Sequence, residues 1–218
     1  MPLKILFLIC LIVMVVCVPW YLKALWPEKC RKSLILKMIC STMFVSIGVL
    51  SIYISGNTSM YAIIMIIGLI FGWIGDYFLH AKPSDAYFVT GFLSFLIGHF
   101  FYIGAYIRTL PKLFPDYEMI NGIEIAIEIF VVVLGLIALK IFNVKLNPKI
   151  LKVGIYFYFA IVTFMFVKAS ALGFNYYKSG APYGIVAFIL LSLGSLFFVM
   201  SDATLGIISL VVKRKTIP

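Results

Sequence analysis

Charged side chains are scarce in this sequence. Only 12% of its 218 residues are Asp, Glu, Lys or Arg, whereas 64% are hydrophobic. A soluble domain of this size carries roughly a quarter charged residues and about half apolar ones. A water-soluble fold could not hide so much apolar surface. The scarcity of charge therefore predicts a chain that uses the bilayer as part of its solvent.

Several catalytic and metal-binding patterns are also missing. The sequence has no HExxH, no GxSxG and no glycine-rich phosphate loop, and none of its four cysteines forms a CxxC pair. The two histidines, His80 and His99, are too few for a three-histidine zinc site. A mixed Asp/His site stays open. Three of the cysteines lie in apolar runs, which is typical of small buried side chains.

The sequence has seven long apolar runs instead. They cover residues 5–22, 33–54, 60–80, 87–108, 119–142, 150–171 and 183–212. Each reaches the length of about 18 residues that marks a candidate membrane-spanning helix. We therefore predict an all-α fold, a polytopic bundle of about seven transmembrane helices. Because no soluble stretch is long enough to fold alone, residues 1–218 are expected to form a single domain.

The basic residues predict the orientation of these spans. Twelve Lys and Arg fall in connectors and tails on the side opposite the amino terminus, and four fall on its own side. The positive-inside rule then makes the amino terminus non-cytoplasmic and the carboxyl terminus cytoplasmic. The net charge of +10 is consistent with the anionic cytoplasmic membrane face as the partner. Nucleic acid is not expected, because no basic helix or aromatic-interleaved groove is present.

Few ionisable side chains lie inside the predicted spans, where they are costly and often functional. Lys37, Asp76, His99 and Asp202 are all predicted between the bilayer midplane and the cytoplasmic side. A single polar cavity that opens toward the cytoplasmic leaflet would explain this shared depth. Asp202 stands in SLFFVMSDATLGII, which offers no local counter-charge.

Helical spacing places some of these residues on defined faces. Gly68, Gly72 and Asp76 recur at four-residue steps and share a stripe. Because glycines allow a neighbouring helix to approach closely, this stripe would hold Asp76 in a helix interface. In the fourth span Gly91, Phe95, His99 and Tyr102 share a face.

Three of these residues also have a structural interpretation. Asp76 could cap a helix end or pair with Lys82. His99 could be a core histidine bonded to Tyr102 or to a serine. Lys37 could extend to the lipid headgroups.

A second polar group is predicted near the opposite, non-cytoplasmic side. Glu124 and Glu128 lie one turn apart in the fifth span, and Lys168 lies near the same side in the sixth. An interhelical ion pair is the simpler interpretation of this group. A coupling-ion site in a small transporter is the alternative.

Three stretches resemble the signature blocks of the lysoplasmalogenase family, the YhhN-like membrane proteins. They are GWIGDYFLH (72–80), FVTGFLSFLIGHFFYIGAY (88–106) and GSLFFVMSDATLG (194–206). The matching positions are Gly75-Asp76, Gly91 and Phe95 with His99 and Tyr102, and Gly194 and Phe198 with Ser201-Asp202. Lys37 resembles the family's lysine in the second span. The blocks follow in the family's order across most of the chain, although members usually carry one more span, eight in all.

The resemblance implies an enzyme that hydrolyses the vinyl ether bond of lysoplasmalogens, without a cofactor or a metal. The substrate would be a 1-alkenyl-glycerophosphoethanolamine or -choline, and the products a fatty aldehyde and the glycerophospho-base. Asp76 and Asp202 are predicted to be the catalytic pair, since one carboxylic acid and one carboxylate suit this reaction. Lys37, His99, Tyr102 and Ser201 are predicted to bind substrate or support the pair. The alternative function is a small ion-coupled transporter, or a non-catalytic membrane protein, that uses the same Asp, Lys and His groups.

Overall fold

A computed structural model of the chain describes residues 2–25, 30–56, 58–82, 84–119, 121–141 and 149–212. Within these ranges the chain forms seven α-helices and no β-strand. They are α1 (Pro2–Leu25), α2 (Arg31–Ser55), α3 (Met60–Ala81), α4 (Asp85–Leu113), α5 (Gly122–Ile141), α6 (Lys149–Lys178) and α7 (Gly184–Val212). The predicted all-α fold is confirmed, with one helix for each apolar run. Several of the lysines used for the orientation, among them Lys145 and Lys213, lie outside the described residues.

Six of these seven described helices are long and apolar enough to cross a membrane. The other one, α5, has 20 residues, about 30 Å at 1.5 Å per residue, and it carries Glu124, Glu128 and Lys140. The chain is thus an integral, multi-pass membrane protein.

Two helices, α4 and α6, continue at least five residues past the ends of their apolar runs. α4 ends at Leu113 and α6 at Lys178, whereas the corresponding apolar runs end at residues 108 and 171. Hydrophobicity marks only the part of a helix that suits lipid, whereas backbone hydrogen bonds can continue through polar residues. Gly180 follows the end of α6 in the left-handed backbone conformation, with a φ of 71°.

The chain divides into two compact units, Met1–Ala105 and Tyr106–Pro218. The first, unit 1, contains α1, α2, α3 and most of α4. The second, unit 2, contains the end of α4 together with α5, α6 and α7. The single-domain organisation expected from the sequence stays a prediction.

In unit 1, glycines bring α3 and α4 into close contact. A β-carbon on Gly75 would lie 3.1 Å from the carbonyl oxygen of Gly91, and one on Gly98 would lie 3.1 Å from that of Gly68. Such small residues let two backbones approach without side chains between them. The close approach predicted for Gly68 is confirmed. Gly72, by contrast, leaves room for a β-carbon, 3.9 Å from the nearest Phe95 atom.

In unit 2, α6 and α7 form an antiparallel hairpin that also depends on glycine. A β-carbon on Gly173 would lie 2.8 Å from the Cα atom of Phe188, and one on Gly184 would lie 2.9 Å from the Cα atom of Tyr177. α5 packs on α6, where the Phe159 ring fills the space beside Gly135. These contacts fix the three helices that carry the polar side chains of unit 2.

Cys30 offers a direct test of the predicted orientation. Cys30 is exposed at the start of α2, whereas Cys10 is buried and Cys17 and Cys40 are partly covered. A hydrogen bond from the Ser33 backbone lowers the pKa of the Cys30 thiol, which increases its reactive thiolate fraction. We expect a membrane-impermeant maleimide to label the protein only when the reagent reaches the cytoplasmic face.

The control for this measurement is Cys30→Ser, which should lose the label from either side. Labelling of Cys30 in intact, unpermeabilised cells would contradict the predicted orientation and place the amino terminus in the cytoplasm.

Candidate active site

Asp76 is held by two residues of the neighbouring helix α2. Its Oδ1 atom lies 3.0 Å from the Lys37 Nζ atom, and the Ser41 hydroxyl donates a hydrogen bond to its Oδ2 atom. Lys37 and Ser41 are four residues apart, so both face α3 from one side of α2. The two charged side chains are only 23% and 13% exposed. Each Asp76 carboxylate oxygen thus has one donor from α2, an ammonium for Oδ1 and a hydroxyl for Oδ2.

The structure gives Lys37 a partner on the neighbouring helix. The Lys37 side chain pairs with Asp76 of α3. Lys82, the other partner considered for Asp76, is exposed and has its Nζ atom 5.4 Å from the centroid of the Tyr87 ring.

Two further residues, Tyr21 and His80, adjoin the Lys37–Asp76 pair and were missed by the sequence analysis. The Tyr21 hydroxyl lies 2.8 Å from His80 Nε2, and His80 Nδ1 lies 3.2 Å from the Asp76 carbonyl oxygen. The Lys37 Nζ atom lies 5.6 Å from the centroid of the Tyr21 ring. The spacing of four residues between Asp76 and His80 was the one available sign of this contact.

His99 and Tyr102 lie buried on α4. His99 is fully buried and Tyr102 is 6% exposed, with their ring centroids 6.1 Å apart in an edge-on arrangement. The Tyr102 ring covers Gly68, and the Phe95 ring covers Gly75 beside Asp76. The predicted common face of Phe95 and Tyr102 is therefore confirmed, and it packs on α3.

In unit 2, Asp202 accepts a hydrogen bond from a tyrosine hydroxyl group. The Tyr158 hydroxyl of α6 donates a hydrogen bond of 2.5 Å to the Asp202 Oδ2 atom of α7. Asp202 is half-buried, whereas the adjacent Ser201 is exposed. Tyr158 was missed because a tyrosine among aromatic residues (IYFYFA) gives no sign of its partner.

The predicted site residues thus fall in both units. Lys37, Asp76, His99 and Tyr102 belong to unit 1, and Ser201 and Asp202 belong to unit 2. Lys37 and Asp76 are in direct contact, as are His99 and Tyr102. The predicted partnership of Asp76 with Asp202 stays a prediction. The described residues contain no group of three or more His, Cys, Asp or Glu side chains that could hold a metal ion.

Lys168 is the centre of a second polar cluster in unit 2. It is 2% exposed, and its ammonium donates to Glu124 Oε2 at 2.7 Å, to the Met119 carbonyl at 2.8 Å and to the Tyr117 hydroxyl at 3.0 Å. The Tyr117 hydroxyl donates in turn to Glu124 Oε1 at 2.6 Å. Burial, and then the Glu124 bond, raise the pKa of Tyr117, which keeps this phenol a donor.

All three protons of the Lys168 ammonium are therefore used. The ammonium ties the connection between α4 and α5 to α6. The predicted ion pair is confirmed between Lys168 and Glu124. This supports the structural interpretation of the cluster.

Glu128 does not share in this ion pair. Its Oε1 atom lies 2.7 Å from the Thr163 Oγ1 atom, which also lies 3.0 Å from each of the carbonyl oxygens of Phe159 and Ala160. Its Oε2 atom is buried, and none of the described residues forms a hydrogen bond with it. The Thr163 hydroxyl donates this bond, so the described partner of Glu128 is a neutral hydroxyl group.

These contacts predict that two glutamine substitutions one turn apart differ in their effect on the free energy of unfolding. Glu124→Gln leaves the buried Lys168 charge uncompensated and should lower the free energy of unfolding by about 3 kcal/mol. Glu128→Gln should change it by less than about 1 kcal/mol, because the amide oxygen can still accept the Thr163 hydrogen bond. Thermal or denaturant unfolding of the purified protein in detergent would measure both. A Glu128→Gln protein that is as unstable as Glu124→Gln would contradict the assignment of the ion pair to Glu124 alone.

Comparison with known proteins adds one finding to this geometry. The family model described as the YhhN family matches residues 3–217. No curated protein and no solved structure matches the chain.

Proposed function

This chain belongs to the YhhN family, and from that premise we propose that it is a lysoplasmalogenase. The YhhN family includes lysoplasmalogenases. The proposed substrate is a 1-alkenyl-glycerophosphoethanolamine or -choline, and the proposed catalytic residues are Asp76 and Asp202. The observation that carries the proposal is the Lys37–Asp76 ion pair with its Ser41 hydrogen bond, a held carboxylate inside an apolar helix bundle.

The reaction needs an acid and a base of defined kinds. Protonation of the vinyl ether at its β-carbon gives an oxocarbenium ion, and water adds to the carbon next to the ether oxygen. The hemiacetal that results loses the glycerol hydroxyl and leaves an aldehyde. One carboxylic acid can deliver the first proton, while one carboxylate steadies the cation and takes a proton from the water. Glycosidases divide a related task between two carboxyl groups.

The contacts of the two aspartates suggest which role each takes. Asp76 is paired with an ammonium, which favours the carboxylate that this role requires. We assign it to the oxocarbenium ion and the attacking water. Asp202 is then left as the proton donor. The Tyr158 hydroxyl would hold the Asp202 carboxyl group in one orientation through the proton transfer.

The other predicted site residues have supporting roles in this proposal. Lys37 compensates the charge of the Asp76 carboxylate. His99 and Tyr102 position the water or the glycerol hydroxyl, and the exposed Ser201 contributes a hydroxyl beside Asp202. The predicted orientation would admit the single-chain lipid from the cytoplasmic leaflet.

Aldehyde release from 1-alkenyl-lysophosphatidylethanolamine by the purified protein in detergent tests the proposal. In D₂O the fatty aldehyde should carry one deuterium on the carbon next to the carbonyl, because that carbon receives the acid's proton. In H₂¹⁸O the glycerol product should stay unlabelled, because the bond that breaks is on the alkenyl side of the oxygen. The 1-acyl lysolipid and the free aldehyde in D₂O are the matched controls.

Two outcomes would contradict the proposal. One is no aldehyde from a protein that unfolds cooperatively and stays monodisperse. The other is aldehyde without deuterium from D₂O, which would exclude protonation at carbon as the chemical step. The first outcome would make solute transport the next activity to measure.

A further inference from the structure

Tyr21 connects the first helix to the Lys37–Asp76 pair. It lies one turn before the end of α1 and is partly buried. Its hydroxyl bonds to His80 of α3 at 2.8 Å, and its ring centroid lies 5.6 Å from the Lys37 Nζ atom of α2. One side chain therefore contacts both helices that carry the ion pair.

The hydrogen bonds of His80 fix the direction of the Tyr21 hydroxyl. His80 is only 8% exposed, and its Nδ1 atom faces the Asp76 carbonyl oxygen at 3.2 Å. A carbonyl oxygen can only accept, so Nδ1 carries the proton. In neutral His80 the Nε2 atom is then an acceptor, and the Tyr21 hydroxyl is its donor. The two aromatic rings also touch, with centroids 5.8 Å apart.

This anchoring matters because Lys37 has a long and flexible side chain. An ion pair at 3.0 Å requires its ammonium to stay in one place. The negative face of an aromatic ring attracts an ammonium, and the Tyr21 ring cannot turn away while its hydroxyl is bonded to His80. Tyr21 and Asp76 thus confine the Lys37 ammonium between an aromatic ring and a carboxylate.

We propose that Tyr21 is a positioning residue for the Lys37–Asp76 pair, and that His80 is its anchor. Tyr21 acts on the reaction through Lys37 and does not contact the substrate. The first helix thereby takes part in the candidate site, although none of its residues belongs to the signature blocks. This inference rests on the proposed function, because its catalytic consequence requires Asp76 to act as a carboxylate in turnover.

The kinetic test compares Tyr21→Leu with Tyr21→Phe. Tyr21→Leu removes the ring face and should lower kcat by about tenfold, the effect of losing one cation–π contact on an ion pair. The KM for the lysoplasmalogen should stay within about twofold, since Tyr21 does not bind substrate. Tyr21→Phe keeps the ring and should recover most of kcat. Tyr53→Leu is the matched control, because Tyr53 is a tyrosine of α2 that is 69% exposed.

Three kinetic outcomes would overturn the inference. They are wild-type kcat in Tyr21→Leu, a rise in KM without a fall in kcat, and a Tyr21→Phe enzyme as slow as Tyr21→Leu. If Tyr21→Leu fails to fold, His80→Asn removes the anchor alone. It should lower kcat less than tenfold at unchanged KM, and an unaltered kcat would overturn the inference.

A double-mutant cycle of melting temperatures separates this inference from the proposed function. Melting temperatures of Tyr21→Leu, Lys37→Met and the double variant report the contact without any turnover. If the wild-type protein releases no aldehyde, the proposed function fails, and the cycle alone judges the contact. A smaller loss in the double variant than the sum of the single losses supports Tyr21 as a partner of Lys37. Additive losses reject it.

Discussion

Replacing Asp202 with asparagine is expected to reduce aldehyde release by about 10²–10⁴-fold, the range in which a positioned general acid contributes. The amide has nearly the same shape as the carboxyl group and can still accept the Tyr158 hydrogen bond. It cannot, however, give a proton to the vinyl ether. Folding and membrane insertion should persist, because Asp202 is only half-buried and its substitute is polar.

The matched control is Asp116→Asn, which removes a carboxylate from the exposed connection between α4 and α5 and should leave turnover unchanged. The rate of aldehyde release by Tyr158→Phe should lie between those of the two aspartate variants. We expect a loss of about tenfold, because this substitution removes one hydrogen bond that orients Asp202. Rates of aldehyde release, normalised to protein that elutes as a single species, measure all three. Wild-type turnover by Asp202→Asn would exclude Asp202 as the acid.

The helices could be predicted well from the sequence, because lipid imposes a simple requirement on them. A run of about 18 apolar residues has few alternatives to a helix when every backbone group must be bonded internally. The glycine contact at Gly68 followed from spacing in the same way. The helix ends did not, since α4 and α6 continue into polar residues that hydrophobicity does not detect.

The candidate site was predicted only in part, for a related reason. An ionisable residue in a span, such as Lys37 or Asp76, is conspicuous because its cost in lipid is high. Its partners are ordinary residues. Ser41, Tyr21 and Tyr158 carry hydroxyl groups that are common in membrane helices, and only the packing of one helix on another selects them. The charged residues could therefore be predicted from the sequence, whereas the hydroxyl groups that bond to them could not.

Replacing Lys37 with methionine is the second substitution with a large expected effect, and it acts on folding and turnover together. It leaves the Asp76 carboxylate without its ammonium in a site where the two side chains are 23% and 13% exposed. Removing one partner of such a pair costs about 3 kcal/mol of stability. The alternative for Asp76 is to take up a proton, and a protonated Asp76 can no longer steady the oxocarbenium ion. Turnover should fall by about 10²-fold or more.

The double variant Lys37→Met/Asp76→Asn separates these two effects. Removing both charges ends the cost of the unpaired carboxylate, so the melting temperature should rise above that of Lys37→Met alone. Turnover should remain lost, because no carboxylate is present. Lys82→Met removes an exposed lysine near the same end of α3 and should behave like the wild type in both measurements. A double variant less stable than Lys37→Met would mean that Asp76 stabilises the fold without Lys37. In that case the ion pair would not be what keeps Asp76 ionised, and the assignment of Asp76 as the carboxylate would lose its physical basis.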